Sequence, residues 1–338
     1  MKEIKVAIVG FGGIARSHYM GYTQLAAEGA PVKLVAVCDI DPERFNTRLR
    51  TNLYNASETL PESIHRYTDA EELIAREEFD MADICLPTYL HKEYAIKLMA
   101  AGKHVMCEKP MALSGGECEE MLAASAKYDR KLMIGQCLRF NATYELLKDT
   151  VESGRYGSLR RLFMERRSSQ PRWSFEHWFE DTARSGGCIL DMHIHDIDMA
   201  RWLLGEPDAV SAISYDTAAR WAVENTRLYY NNTMVVINGS WDEAKSCRFY
   251  WGFNAGFEEA SIICDNGKVT VYPNDGEAYE AEIAPKDHMA EEIRYFVSTI
   301  LGGEKNTVNT PESAMADVKL IEKLRESADK NGEIVKLK

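Results

Sequence analysis

Residues 4–15 read Ile-Lys-Val-Ala-Ile-Val-Gly-Phe-Gly-Gly-Ile-Ala, and the rest of the chain is best understood outward from them. A short apolar run leads into Gly10, Gly12 and Ala15, the spacing G-x-G-x-x-[GA]. Gly10 permits a tight turn and Gly12 lets backbone approach a pyrophosphate. Ala15 is small enough for the following helix to pack on a sheet, with phosphates resting at the helix N-terminus. The next apolar run, VKLVAVCD, ends in Asp39, 24 residues past Ala15, where a carboxylate accepts hydrogen bonds from ribose hydroxyls. The pattern predicts a dinucleotide site built from Gly10, Phe11, Gly12, Gly13, Ile14, Ala15 and Asp39.

Three further runs, MADICLP, KHVMCEK and KLMIGQ, are apolar throughout, not alternating. Strands buried on both faces of a parallel sheet read this way. Helix signatures separate them, with Asp69 and Glu72, then Ser114 and Glu117, spaced as capping boxes. The alternation predicts an α/β fold with a Rossmann-type doubly wound parallel sheet over residues 1–135. After residue 136 the texture changes. RRLFMERR, RLYYNNTMVVINGSW, CRFYWGF, EASIICDNG and KVTVYP are rich in aromatic and β-branched residues and separated by turn signals. They predict an α+β domain over 136–338 with a large open-faced, mostly antiparallel sheet. A last helix starts at Thr310-Pro311 and stops at Asn331-Gly332.

Composition agrees. The 338 residues exceed the ~250–300 at which a single core stops growing. An apolar fraction of 45% and a charged fraction of 28% exclude a disordered or fibrous chain. A net charge of −13 disfavours nucleic acid or an anionic membrane surface as a partner. No apolar run approaches the ~18 residues of a membrane span, and the start carries no signal-peptide pattern, so a cytoplasmic protein is expected. Eight evenly spread cysteines without C-x-x-C predict neither zinc nor a disulfide framework.

Three more segments carry chemistry. Glu108-Lys109-Pro110 ends the fourth long strand, the edge at which ligands sit in such sheets. Pro87-Thr88 with His91 ends the third. On the residues alone, the first is also consistent with a solvated lysine in a strand-to-helix loop, and the second with a helix N-terminus carrying a surface histidine. In SGGCILDMHIHDIDMARWLLG (185–205), two glycines lead into a helical pattern that puts Asp191, His195 and Asp198 on one face. A histidine beside a carboxylate suits general-base work. A metal site on His193 and His195 is disfavoured, because residues two apart on a helix point ~200° apart.

On GFGGIA, Pro87-Thr88 with His91, EKP at 108–110, GQCLRFN at 135–141 and SGGCILDMHIHDID, the chain resembles the glucose–fructose oxidoreductase / inositol dehydrogenase (Gfo/Idh/MocA) family over essentially its whole length. The resemblance implies an NAD(P)-dependent oxidoreductase acting on a hydroxyl carbon of a sugar, polyol or related alcohol. It implies Lys109, Asp191 and His195 as catalytic residues. The dinucleotide would also meet Pro87, Thr88, His91, Glu108 and Lys109, and the substrate Lys109, Arg139, Asp191, His193 and His195, with no metal. Cys188 replaces a usual glycine and His193 a usual small residue, so His193 is expected to narrow or re-tune the pocket. Asp39 followed by Ile40-Asp41-Pro42 favours NAD over NADP, since two carboxylates repel a 2′-phosphate. An NAD-dependent glycosidase and a non-catalytic dinucleotide-binding sensor are the alternatives on this fold. Tyr229, Tyr230, Trp241, Phe249, Tyr250 and Trp251 are expected to form an exposed aromatic sheet face, and hence a homodimer or homotetramer through the second sheet.

Overall fold

A computed structural model describes residues 2–46, 60–217, 219–303 and 305–337. The continuous apolar runs form a six-stranded parallel sheet. Its strands are β1 (Ile4–Val9), β2 (Val32–Cys38), β3 (His65–Tyr67), β4 (Met81–Ile84), β5 (His104–Glu108) and β6 (Leu132–Gly135), in the order β3-β2-β1-β4-β5-β6. Order reverses at β1, which places a crevice at the strands' carboxyl ends. Helices α1 (Gly13–Ala27), α2 (Ala70–Arg76), α3 (His91–Ala100) and α4 (Gly115–Tyr128) form the crossovers. The predicted caps start two of them. Asp69 accepts from the amide of Glu72, and Ser114 from that of Glu117, whose carboxylate reaches back to the amide of Leu113. Val6, Ile8, Val37, Met81 and Met106 are fully buried, each contributing about 1.5–3 kcal/mol.

The chain continues through α5 (Ala142–Ser153) into a nine-stranded sheet. Its strands are β7 (Leu159–Arg167), β8 (Ala209–Tyr215), β9 (Val223–Tyr229), β10 (Met234–Ser240), β11 (Tyr250–Phe257), β12 (Ala260–Asp265), β13 (Lys268–Pro273), β14 (Tyr279–Glu280) and β15 (Val335–Lys336). The order is β14-β13-β12-β11-β7-β10-β9-β8-β15, antiparallel except for the β7–β10 pair. Between β7 and β8 run two single-turn helices, α6 (Thr182–Ser185) and α7 (Cys188–Asp191), and then α8 (Ile194–Leu204). One sheet face buries Leu162, Met164, Leu228, Val235 and Ile237, while Tyr215 and Met234 stay 71% and 62% exposed. The expected aromatic set divides between the two faces: Tyr229 and Tyr250 lie on the open side with Met234 and Tyr215. Trp241 is buried, and Trp251 stacks on Tyr144 of α5 with centroids 5.6 Å apart, because both belong to the covered side.

The partition of the chain also corrects a contiguous 136–338 domain. One unit comprises residues 1–140 and 287–315, the other 141–286 and 316–338. The cause is α9 (His288–Gly302), whose Ala290, Ile293, Phe296 and Val297 complete the core around β1. Gly21 makes room on α1, since a Cβ there would lie 3.1 Å from Ile293 and 3.3 Å from the Ala290 amide. A final helix, α10 (Pro311–Asp329), begins at the expected proline. Among the described residues, no helix is long and apolar enough to cross a membrane.

Candidate active site

The loop after β1 has the geometry its glycines predict. Gly10 has φ +89°, and a Cβ there would lie 2.8 Å from the Cys85 carbonyl. No atom lies within 4 Å of a Cβ built on Gly12, which precedes α1 without a side-chain cap. Amides of the first helical turn are therefore left for an anion. The Asp39 carboxylate accepts from the amides of Phe11 (2.6 Å) and Asp41 (2.9 Å). A carboxylate offers about four acceptor positions, so two remain for a ribose diol. Gly12, Gly13, Ile14 and Asp39 thus fit a dinucleotide. The Phe11 side chain contributes differently: it is buried beneath the Arg16 guanidinium, 4.1 Å from its ring centre.

At the ends of β4 and β5, several expected ligand contacts are corrected. His91 is buried, with its ring nitrogens each 2.8 Å from a carbonyl oxygen, those of Pro110 and Leu86. It ties two loops together and has no edge left for a dinucleotide. Burial pushes its pKa down, against the pull of those carbonyls. Thr88 is buried, and Glu108 turns inward to His18 and to the amide of Lys109. Arg139 is likewise buried: its guanidinium donates to the Val308 carbonyl (2.6 Å) and the Ser313 hydroxyl (2.7 Å), which fixes residues 306–313. Neither Glu108 nor Arg139 is presented to a ligand. Within residues 105–112, only Lys109 retains solvent access.

In the other unit, Gly186 and Gly187 both have positive φ, and a Cβ on Gly187 would lie 2.5 Å from the Arg220 carbonyl. They launch α7, which ends at Asp191, and α8 starts at Ile194. The helix expected to be continuous is therefore interrupted at Met192-His193. Within residues 191–200, only Asp191 and His195 retain solvent access. Beneath them, the Arg166 guanidinium grips Asp196 through two bonds of 2.9 and 3.0 Å and donates to the Tyr144 hydroxyl at 3.1 Å. Such paired geometry makes a rigid backing.

His193 does not narrow a pocket. Its ring is buried against the sheet, with Nε2 2.9 Å from the Thr226 hydroxyl. Burial, aided by the Arg166 charge, pushes its pKa down to about 3 and keeps it neutral. Glu224 lies near it, its pKa pushed well above the usual carboxylate value by burial. Cys188 is a buried thiol, raised well above the usual thiol value by burial and then by Glu224. It packs with Phe179, Met192 and Trp241. The aromatics just before this segment divide in the same way: Trp178 stacks on Phe179 at 3.9 Å, whereas Trp173 and Phe175 stay exposed.

Residues 4–136 match the family model described as "Oxidoreductase family, NAD-binding Rossmann fold", and residues 144–270 match the GFO/IDH/MocA C-terminal domain. The chain belongs to the Gfo/Idh/MocA family of NAD-binding oxidoreductases. Relatives include the myo-inositol 2-dehydrogenase of Thermotoga maritima, 29% identical over 74% of this chain and 78% of that one. The 2,7-anhydro-N-acetylneuraminate hydratase of Mediterraneibacter gnavus is 28% identical over 79% of this chain and 66% of its own. The levoglucosan dehydrogenase of Pseudarthrobacter phenanthrenivorans is 28% identical over 63% of this chain, which spans only 54% of that relative. A levoglucosan dehydrogenase solved with NADH superposes with a TM-score of 0.84 over all of both chains at 19% identity, a likeness of fold.

Proposed function

We propose that this Gfo/Idh/MocA member is an NAD-dependent dehydrogenase acting on a secondary alcohol of a sugar, polyol or related compound in the cytoplasm. The observation that carries the reading is one of access. In the EKP and D-x-x-x-H segments, Lys109, Asp191 and His195 keep solvent contact while their neighbours are buried. Relatives named as dehydrogenases of inositol and levoglucosan support the substrate class.

In this mechanism the imidazole of His195 takes the hydroxyl proton, and Asp191 orients that hydroxyl and favours the imidazolium. The Lys109 ammonium stabilises negative charge developing on the oxygen. Bound NAD supplies the acceptor for the hydrogen that leaves carbon with its electron pair. Asp39, beside Asp41, selects the unphosphorylated ribose. NADH absorbance, followed with myo-inositol, levoglucosan, glucose and glycerol as alcohols, tests the reading. Absence of turnover together with absence of NADH binding would overturn it. The hydratase relative favours one second reading, in which the cofactor is restored each cycle; product would then form without NADH accumulating.

A further inference from the structure

Behind the EKP segment lies a buried charge cluster with no role in the mechanism above. His18, in the middle of α1, is completely buried. Its Nδ1 is 2.8 Å from the carboxylate of Asp83 on β4, and its Nε2 is 2.9 Å from the carboxylate of Glu108 at the end of β5. Asp83 also accepts from the Tyr22 hydroxyl at 2.8 Å. Both ring nitrogens face acceptors, so an imidazolium donates in both directions, a pairing that buried carboxylates require. Burial alone would lower the His18 pKa, but Asp83, and after it Cys85, hold it well above the ordinary value. His18, Asp83 and Cys85 offer atoms all within 4.8 Å of one another, close enough for a metal ion. The commitment of both ring nitrogens to carboxylates argues for a proton there instead.

The cluster continues outward. The second oxygen of Glu108 accepts the amide of Lys109 at 3.1 Å, and His91 holds the Pro110 carbonyl at 2.8 Å. Gly135 on β6 gives Glu108 its space, since a Cβ there would lie 3.0 Å from the carboxylate. We propose that His18 is a positioning residue: by orienting Glu108 it fixes the backbone at Lys109 and so the placement of the Lys109 ammonium. The inference rests on the reading of Lys109 as the group that stabilises charge on the substrate oxygen.

The test is a double-mutant cycle between His18→Gln and Lys109→Met, using NAD with myo-inositol or levoglucosan, whichever is turned over faster. His18→Gln should lower kcat about tenfold to hundredfold, the scale of an ångström of misplacement, while NADH affinity stays within about threefold. In the Lys109→Met background it should cost almost nothing, because the group it places is gone. An equal loss in both backgrounds, or no loss in either, overturns the proposal. Loss of activity in His18→Gln with none in Lys109→Met instead overturns the reading of Lys109 and leaves His18 acting on something else. If His18→Gln does not fold, Glu108→Ala takes its place in the cycle, and Glu108→Gln should recover most of that loss: its amide oxygen accepts from Lys109 and its NH₂ donates to a neutral His18. A further readout needs no substrate. After ¹³C-methylation of the lysines, the Lys109 signal, identified by its loss in Lys109→Met, should shift in His18→Gln or Glu108→Ala. An unshifted signal sinks the proposal even if no alcohol is oxidised.

Discussion

Adding one methyl group at Gly239 tests whether the histidine at position 193 is accommodated by the sheet. Gly239 lies on β10 directly opposite Glu224 on β9. A Cβ there would sit 2.7 Å from His193 Nδ1 and 2.8 Å from a Glu224 oxygen, 0.7 and 0.6 Å inside the 3.4 Å at which ordinary contact begins. The ring has little freedom to retreat, being fully buried with its other nitrogen on Thr226. Overpacking of this kind costs about 1–3 kcal/mol, so Gly239→Ala should lower stability by that amount. With His193→Ala in the same chain, most of that cost should disappear, a coupling of at least about 1 kcal/mol between residues in contact. Urea unfolding followed by tryptophan fluorescence is a selective assay, because all six tryptophans lie between residues 173 and 251, inside one unit. A Gly239→Ala chain within about 0.5 kcal/mol of the parent, or the same cost with and without His193, would refute the reasoning.

Other outcomes follow from the same geometry. His193 has a folded pKa of about 3 against an ordinary 6.5, so the unfolded chain binds its proton first as pH falls. Stability from this residue is full above pH ~6.5 and drains away between there and ~3; urea midpoints at pH 7 and 5 should converge in His193→Ala. His195→Ala should cut kcat/KM about 10²–10⁴-fold with NADH binding retained, and near-normal turnover would make the histidine structural. Asp39→Ala should erode the preference for NAD over NADP, measured as the ratio of kcat/KM values; equal values in the parent would count against Asp39 as the selector. Tyr215→Glu with Met234→Glu on the open sheet face should shift light scattering from a dimer or tetramer to the monomer mass, whereas a monomeric parent ends the idea.

Much of this fold is legible in the sequence. Strands buried on both faces announce themselves as unbroken apolar runs, and a glycine with φ +89° beside a carbonyl is the need that Gly10 signals. Side-chain direction was not readable. His91, Arg139 and His193 have the residue types of ligand contacts, yet each is committed to backbone or sheet partners, a choice set by packing from distant segments. The partner of α9 was hidden for the same reason: an amphipathic stripe does not say which core it completes. The His18 cluster, by contrast, is signalled in the sequence. Asp83 sits inside a fully apolar strand and Glu108 ends another, and two acids in a buried sheet require a cation nearby.

The return of the chain to its first unit has a consequence for the order of assembly. On the ribosome, β1 to β6 are complete long before α9 exists, and 146 residues of the other unit, 141–286, are synthesised in between. Until α9 emerges, the face of α1 around Gly21 and the apolar positions that meet Ile293, Phe296 and Val297 stay open to water and to other nascent chains. The nucleotide-binding half is therefore started first and finished after most of its neighbour. A gene truncated anywhere before residue 288 encodes neither half intact.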